Sequence, residues 1–255
     1  MRKQKFFYLG CGLLMIFVFA CTTKNIQDQK LKADASRRLG EEYLRLGKFR
    51  NALRELVKAE ALYPDDYLLQ DDLGLAYHYL GKQGLAISHF KKALEIKEDY
   101  APARNNLGNA YAAQEDWDKA IEQYKIVSSD LIYATPEFPL SNLGFAYYQI
   151  QEYTLSEKYY KKALKVKPTF VNALHGLAKT YLATGQIAEA VARLEKAVKV
   201  SPKSAYVHFE LANAYRMRQE YQKAYATYQK VVQLDPDSPL ADQAMQEAHQ
   251  IQNLF

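Results

Sequence analysis

Apolar and polar residues along this chain keep helical rather than strand spacing, and the pattern returns on itself. From residue 33 onward, apolar positions recur at intervals of three, four and seven, in runs of about a dozen residues separated by short polar breaks. A leucine followed by glycine or alanine, with tyrosine three residues further on, marks each return: Leu39-Gly40 with Tyr43, Leu73-Gly74 with Tyr77, Leu107-Gly108 with Tyr111, Leu143-Gly144 with Tyr147, Leu177-Ala178 with Tyr181, and Leu211-Ala212 with Tyr215. The leucines are 34, 34, 36, 34 and 34 residues apart. The pattern predicts paired helices over 33–46 and 49–62, 67–80 and 83–96, 101–114 and 117–127, 137–150 and 153–166, 171–184 and 187–200, and 205–218 and 221–234.

The rest of each unit supports pairing. Thirteen residues after the leucine stands a small residue, Ala52, Ala86, Ala120, Ser156, Ala190 and Ala224, and four residues later a large one, Leu56, Phe90, Tyr124, Tyr160, Leu194 and Tyr228. Two antiparallel helices approach closely only where small side chains meet, and the large residues fill the space between such contacts. Proline closes four of the units, at Pro64, Pro168, Pro202 and Pro236, where it stops one helix and admits the next after a short turn. No single pair can bury its own apolar stripe, so stacking is required.

This period and pattern resemble the tetratricopeptide repeat. The resemblance implies an all-α fold, a right-handed α-solenoid of six repeats over 33–66, 67–100, 101–136, 137–170, 171–204 and 205–238. Residues 239–255, with Leu240, Ala244, Met245, Ala248 and Ile251 on one face, read as a C-terminal capping helix. The segment Ser128 to Pro136 adds two residues between repeats three and four, and a local bulge is expected there.

The first 32 residues do not share the repeat. Met1 to Lys5 is cationic and Phe6 to Ala20 carries no charge, the layout of a secretory signal peptide; fifteen residues fall short of the roughly 20 that cross a bilayer. Val18-Phe19-Ala20-Cys21 resembles the lipobox of bacterial lipoprotein precursors. That resemblance implies cleavage before Cys21, its lipidation (palmitate among the acyl chains), a polar tether over 21–32 and, with Thr22 next, outer-membrane placement facing the periplasm. Two or three acyl chains hold a protein firmly on a bilayer where one is marginal.

Composition then removes alternatives. With 49% hydrophobic and 25% charged residues the chain can bury a core. Of its net charge of +5, three units are Arg2, Lys3 and Lys5; a chain beginning at Cys21 has 31 bases against 29 acids, and no run of base points to nucleic acid. Cys11 and Cys21 are the only cysteines, so a processed chain would have no free thiol for catalysis, zinc or redox chemistry. His78, His89, His175, His208 and His249 show no metal-ligand spacing, and nucleotide loops and nucleophile elbows are absent, so we expect no enzyme activity, no metal, no cofactor and no small-molecule substrate.

What remains is a surface for a protein partner. In the resemblance the first helix of each repeat lines a concave groove, into which the residues one before and two after each signature leucine point. In those columns stand the amides Asn106, Asn109, Asn142 and Asn213, with Asn105 and Asn172 nearby, which offer donor and acceptor to a partner's main chain; the apolar candidates along the groove are Leu75, Tyr79, Phe138, Phe145, Tyr148 and Tyr206. Some of the latter can equally serve the core. A carboxylate clamp of the kind that grips chaperone tails is opposed by Glu41, Asp71 and Asp72. Lipobox, tether, six repeats and the Tyr133-Ala134-Thr135-Pro136 insertion together resemble the type IV pilus pilotin lipoproteins of the PilF, PilW and Tgl type. The resemblance implies a scaffold that binds secretin subunits and promotes their outer-membrane assembly; a general envelope adaptor for peptidoglycan hydrolases or outer-membrane assembly factors is the alternative.

Overall fold

The computed structural model describes residues 27–130 and 134–254. The segment 1–20, Cys21, and Leu131, Ile132 and Tyr133 of the insertion lie outside the described residues. Within them the chain is all-helical: α1 (27–45), α2 (Phe49–Leu62), α3 (Tyr67–Tyr79), α4 (Gln83–Ile96), α5 (Ala101–Ala112), α6 (Trp117–Ser128), α7 (Glu137–Gln149), α8 (Tyr153–Val166), α9 (Val171–Ala183), α10 (Ile187–Val200), α11 (Ala205–Met217), α12 (Tyr221–Leu234) and α13 (Pro239–Ile251).

Local chemistry explains the ends. Asp66 caps α3 by accepting from the backbone N–H of Leu68 and Leu69, Ser204 caps α11 from Val207, and Ser238 caps α13 from Ala241, with Pro239 in the first turn. The turn inside every repeat uses one left-handed residue, always at the same register: Gly47, Gly81, Glu115, Gln151, Gly185 and Gln219, with φ from 59° to 76°. Only three of the six are glycine, so the other three hold a conformation that costs an ordinary side chain about 1 kcal/mol.

One feature differs from the sequence reading. Helix α1 already includes residues 27–32, assigned above to a tether. No proline or glycine interrupts Gln27 to Ala33, Ala33 is buried, and Lys30 lies over the Tyr63 ring 5.3 Å away, so the helix continues N-terminally. In the insertion, α6 ends at Ser128, two residues short of its counterparts, and eight residues precede α7 where the other repeats use four.

The chain divides into two compact units, one up to Gln114 and one from Glu115. In the first, Ala52, Leu56, Ala59, Leu69, Leu73 and Ala76 form a buried cluster. In the second, the cluster runs from Leu140 through Tyr160, Leu177, Leu194 and Tyr228 to Ile251 on the cap helix α13. Burial of each large apolar side chain contributes about 1.5–3 kcal/mol. Glycine makes the closest approaches possible: a methyl group on Gly74 would lie 2.4 Å from the Phe90 ring, and one on Gly176 would lie 2.2 Å from Tyr160 Cζ. Leu39 alone of the six signature leucines is exposed, since no described repeat precedes the first.

Candidate partner-binding cleft

The candidate residues fall into both units. In the first unit, Leu75 and Tyr79 lie on α3 and Asn105, Asn106 and Asn109 on α5. Here the groove-facing positions are closed by bonds within the chain. Arg37 Nη1 donates to Asp72 at 3.0 Å and to Glu41 at 3.0 Å, and Asn106 Nδ2 donates to Asp71 at 3.0 Å. Asn106, offered above as a reader of a partner's main chain, is thus committed to Asp71. Burial pushes the Asp71 carboxyl up to about 6, against the bond from Asn106. Burial also pushes Asp72 up to about 7, outweighing the pull of Arg37 and aided by repulsion from Asp71 and Glu41. Asp72 in turn holds the Arg37 guanidinium protonated more firmly than burial would allow. Tyr79 is exposed and stacks on Phe49, ring centroids 4.5 Å apart.

In the second unit the corresponding positions form an opening. Tyr160 of α8 enters the notches left by Gly144 on α7 and Gly176 on α9 and makes a floor. Beside it a buried hydroxyl chain ties the three helices together: Ser156 Oγ donates to the Gly144 carbonyl at 2.8 Å and stands 2.9 Å from Thr180 Oγ1, whose one proton goes either to Ser156 Oγ or to the Gly176 carbonyl at 2.9 Å. That chain accounts for serine in a column otherwise filled by alanine. Above the floor lies a cleft of about 250 Å³, with Asn142, Phe145 and Tyr148 of α7 on one wall and Asn172, His175 and Lys179 of α9 on the other. Phe145 is 44% exposed, and Trp117 holds its ring edge-on at 5.8 Å. Lys179 Nζ stands 5.5 Å over the Tyr148 ring.

The next repeat completes the lip. The His175 ring packs edge-on against Tyr206 at 5.2 Å, and its buried Nε2 makes no hydrogen bond, standing 3.6 Å from the Glu210 carboxylate. Burial, and then Glu210, raise the Tyr206 phenol. Phe138 lies apart from the cleft, edge-on to Phe170 at 5.0 Å, and Asn213 accepts a 2.6 Å bond from the buried Tyr228 hydroxyl. The structure therefore brings Asn142, Phe145, Tyr148 and Asn172 together with Tyr206 at the lip, and sets Phe138 and Asn213 elsewhere.

Sequence reasoning passed over His175, Lys179 and Glu210. Lys179 and Glu210 stand in the very columns flanking the signature leucines, and the search of those columns for amides and apolar residues missed their charge. The assembled groups offer two amides, two aromatic faces and a cation. At about 250 Å³ the cleft is below the roughly 300–1,000 Å³ usual for small-molecule pockets and suits one apolar side chain of a polypeptide. No group of three or more metal-ligating side chains occurs among the described residues, and no described helix is long and apolar enough to cross a membrane.

Comparison with known proteins places this geometry. Models of the tetratricopeptide repeat match residues 74–114, 103–132, 138–203 and 175–239. The chain is a tetratricopeptide-repeat protein. It is similar to the type IV pilus assembly protein PilF of Pseudomonas aeruginosa, 25% identical over 162 residues, covering 60% of this chain and 64% of that one. It is also similar to anaphase-promoting complex subunit 6 of Arabidopsis thaliana, 28% identical over 107 residues, but there it spans 19% of the relative's length. Among solved structures, PilW, described as a widely conserved type IV pilus biogenesis factor, superposes with a TM-score of 0.77 at 23% identity over 84% of this chain and 98% of that one. PilF of Pseudomonas aeruginosa superposes with a TM-score of 0.73 at 19% identity over 86% of this chain and 99% of that one.

Proposed function

We propose that this chain is a lipid-anchored scaffold of type IV pilus biogenesis that binds secretin subunits and promotes their assembly in the outer membrane. In this reading Cys21 carries the acyl chains and faces the array into the periplasm, and the cleft between α7 and α9 holds an apolar side chain of a secretin segment. Asn142 and Asn172 bond that segment's main chain. The scaffold acts by binding and catalyses no reaction. The observation that carries the reading is the similarity to PilF, which runs over 64% of that protein; the eukaryotic relative shares only a stretch of repeats.

The test is an immunoblot of heat- and detergent-resistant secretin multimers, at equal secretin monomer, in cells with and without the chain. Loss on deletion and recovery with the intact chain is the expected result. Unchanged multimers would move the function to a general envelope adaptor, and recovery of peptidoglycan hydrolases without secretin in a pull-down would identify one. Anchoring is tested separately by Cys21→Ala, which is expected to leave the folded protein outside the outer-membrane fraction. Fractionation identical to the unsubstituted chain would end the anchoring claim.

A further inference from the structure

Charge that is balanced along the chain is not balanced on the surface of the second unit. No acid occurs between Glu157 and Glu189, a stretch that includes the lysine-rich end of α8, and none occurs between Glu195 and Glu210, where α10 ends. Both helices pack on α9. Leu164 near the end of α8 and Val198 near the end of α10 pack against one buried cluster around Leu174, so the two basic ends flank the same place. There Val166 and Val200, one repeat apart, are 50% and 37% exposed. Lys162, one turn before Val166 on its helix face, and Lys165, Lys199 and Lys203 are all exposed, and none has a carboxylate within ion-pair distance among the described residues. By contrast Lys161 is held by Glu157 and Lys167 by Glu137. A lysine in the last turn of a helix is favoured by the carbonyl dipoles, which accounts for Lys165 and Lys199 singly. It does not account for Lys162, Lys203 or the uncovered valines.

We propose that this edge, formed by Lys162, Lys165, Val166, Lys199, Val200 and Lys203, rests on an anionic phospholipid surface. Lysine suits that role because its long apolar stem follows the protein surface while the ammonium reaches the headgroup phosphates, and the valines sit at the boundary of headgroup and acyl chain. The edge has neither the arginines that fork onto phosphodiesters nor the aromatic rings that stack on bases, which separates it from a nucleic-acid surface. The contact is independent of the cleft, whose side chains it does not use, and of whether Cys21 carries lipid.

The experiment is co-sedimentation of the full chain with vesicles of phosphatidylcholine alone or of an equal mixture with phosphatidylglycerol, at low and high salt. Residues 1–21, with Arg2, Lys3 and Lys5, are shared by all chains compared, so the difference between the intact and the substituted chains on anionic vesicles isolates the edge. The intact chain is expected to favour the anionic vesicles by about tenfold or more, with the preference lost at high salt. A chain with Lys162, Lys165, Lys199 and Lys203 each changed to Glu is expected to lose the preference while its circular dichroism and thermal unfolding stay unchanged. The four-fold Lys→Gln chain gives the same reading should charge reversal unfold the protein. Equal partition of the intact chain into both vesicles, or a preference undiminished by the substitutions, would overturn the proposal. Equal partition accompanied by lysine-dependent binding of soluble poly-glutamate would assign the edge to an acidic protein instead.

Discussion

The same rung of the repeat is built in opposite ways in the two units. Residues 35 apart meet between successive first helices: Arg37 with Asp72, Asp71 with Asn106, and His175 with Glu210. In the first unit both rungs are closed hydrogen bonds from a half-buried donor to a buried carboxyl group. In the second, the rung that joins repeats four and five has Ser141 facing Gly176, with no side chain to reach across, and the following rung leaves His175 Nε2 unbonded. The cleft opens where the glycine interrupts the series. Gly176 is itself required by Tyr160, which occupies the space a side chain would need. One packing decision thus creates both the floor and the opening, while the first unit's columns are spent on internal cohesion.

The largest effect expected from breaking this contrast comes from the notch. Gly176→Ala drives a methyl into Tyr160 and should cost about 2–3 kcal/mol, read by denaturant unfolding, with amide exchange locating the loss on α7 to α9. Gly74→Ala meets Phe90 in the same way and should cost as much, located on α3 and α4 instead. Unchanged stability in Gly176→Ala would show that Tyr160 is not fixed by the notch.

Next in size is pH. Asp71 and Asp72 have folded-state pKa values above the unfolded carboxyl value, so the folded chain holds their protons more tightly. Their contribution to stability is complete below about pH 4 and is lost as pH rises through about 6 and 7. Asp71→Asn should remove the Asp71 share of that loss, raising the stability of the first unit by about 1–2 kcal/mol at pH 8 and leaving it unchanged at pH 4. Urea titrations at the two pH values provide the check, and an equal effect at both would contradict the account.

The cleft itself is sharpened by Phe145→Ala and Lys179→Ala. Each removes a wall without touching the floor, and each should weaken partner binding by about tenfold with stability changed by less than about 0.5 kcal/mol. Smallest is the turn register. Gln219→Gly should stabilise by about 0.5–1 kcal/mol and Gly81→Ala should destabilise by about 1 kcal/mol, because the position is left-handed in every repeat; thermal unfolding reports both.

Much of this fold is legible in the chain because each repeat restates the same constraints. The signature leucines, the small column and the closing prolines place α2 to α12 within about two residues, since helix starts and stops are local. Two local features were nevertheless hidden. Residues 27–32 read as a tether because polarity alone does not distinguish a solvated helix turn from coil, and Lys30 over Tyr63 is a contact across 33 positions. Glu115, Gln151 and Gln219 do not announce a left-handed turn, and only the register shared with Gly47, Gly81 and Gly185 reveals it. The cleft was half visible: the columns named Asn142 and Phe145, but commitment of Asn106 to Asp71 and of Asn213 to Tyr228 depends on which partner stands one repeat or one helix away. The missing side chain at Gly176 carries no pattern of its own, being a packing glycine in the sequence and an opening in the structure.

The most direct test of the central claim, that the cleft between α7 and α9 is the partner site, is the secretin-multimer immunoblot in cells whose only copy carries Phe145→Ala with Lys179→Glu. The protein must be present at the level of the intact chain, with equal secretin monomer. The account predicts that resistant multimers disappear while the protein remains folded and in its normal membrane fraction. Multimers at the level supported by the intact chain would contradict it and would place secretin binding, if it occurs, outside the cleft.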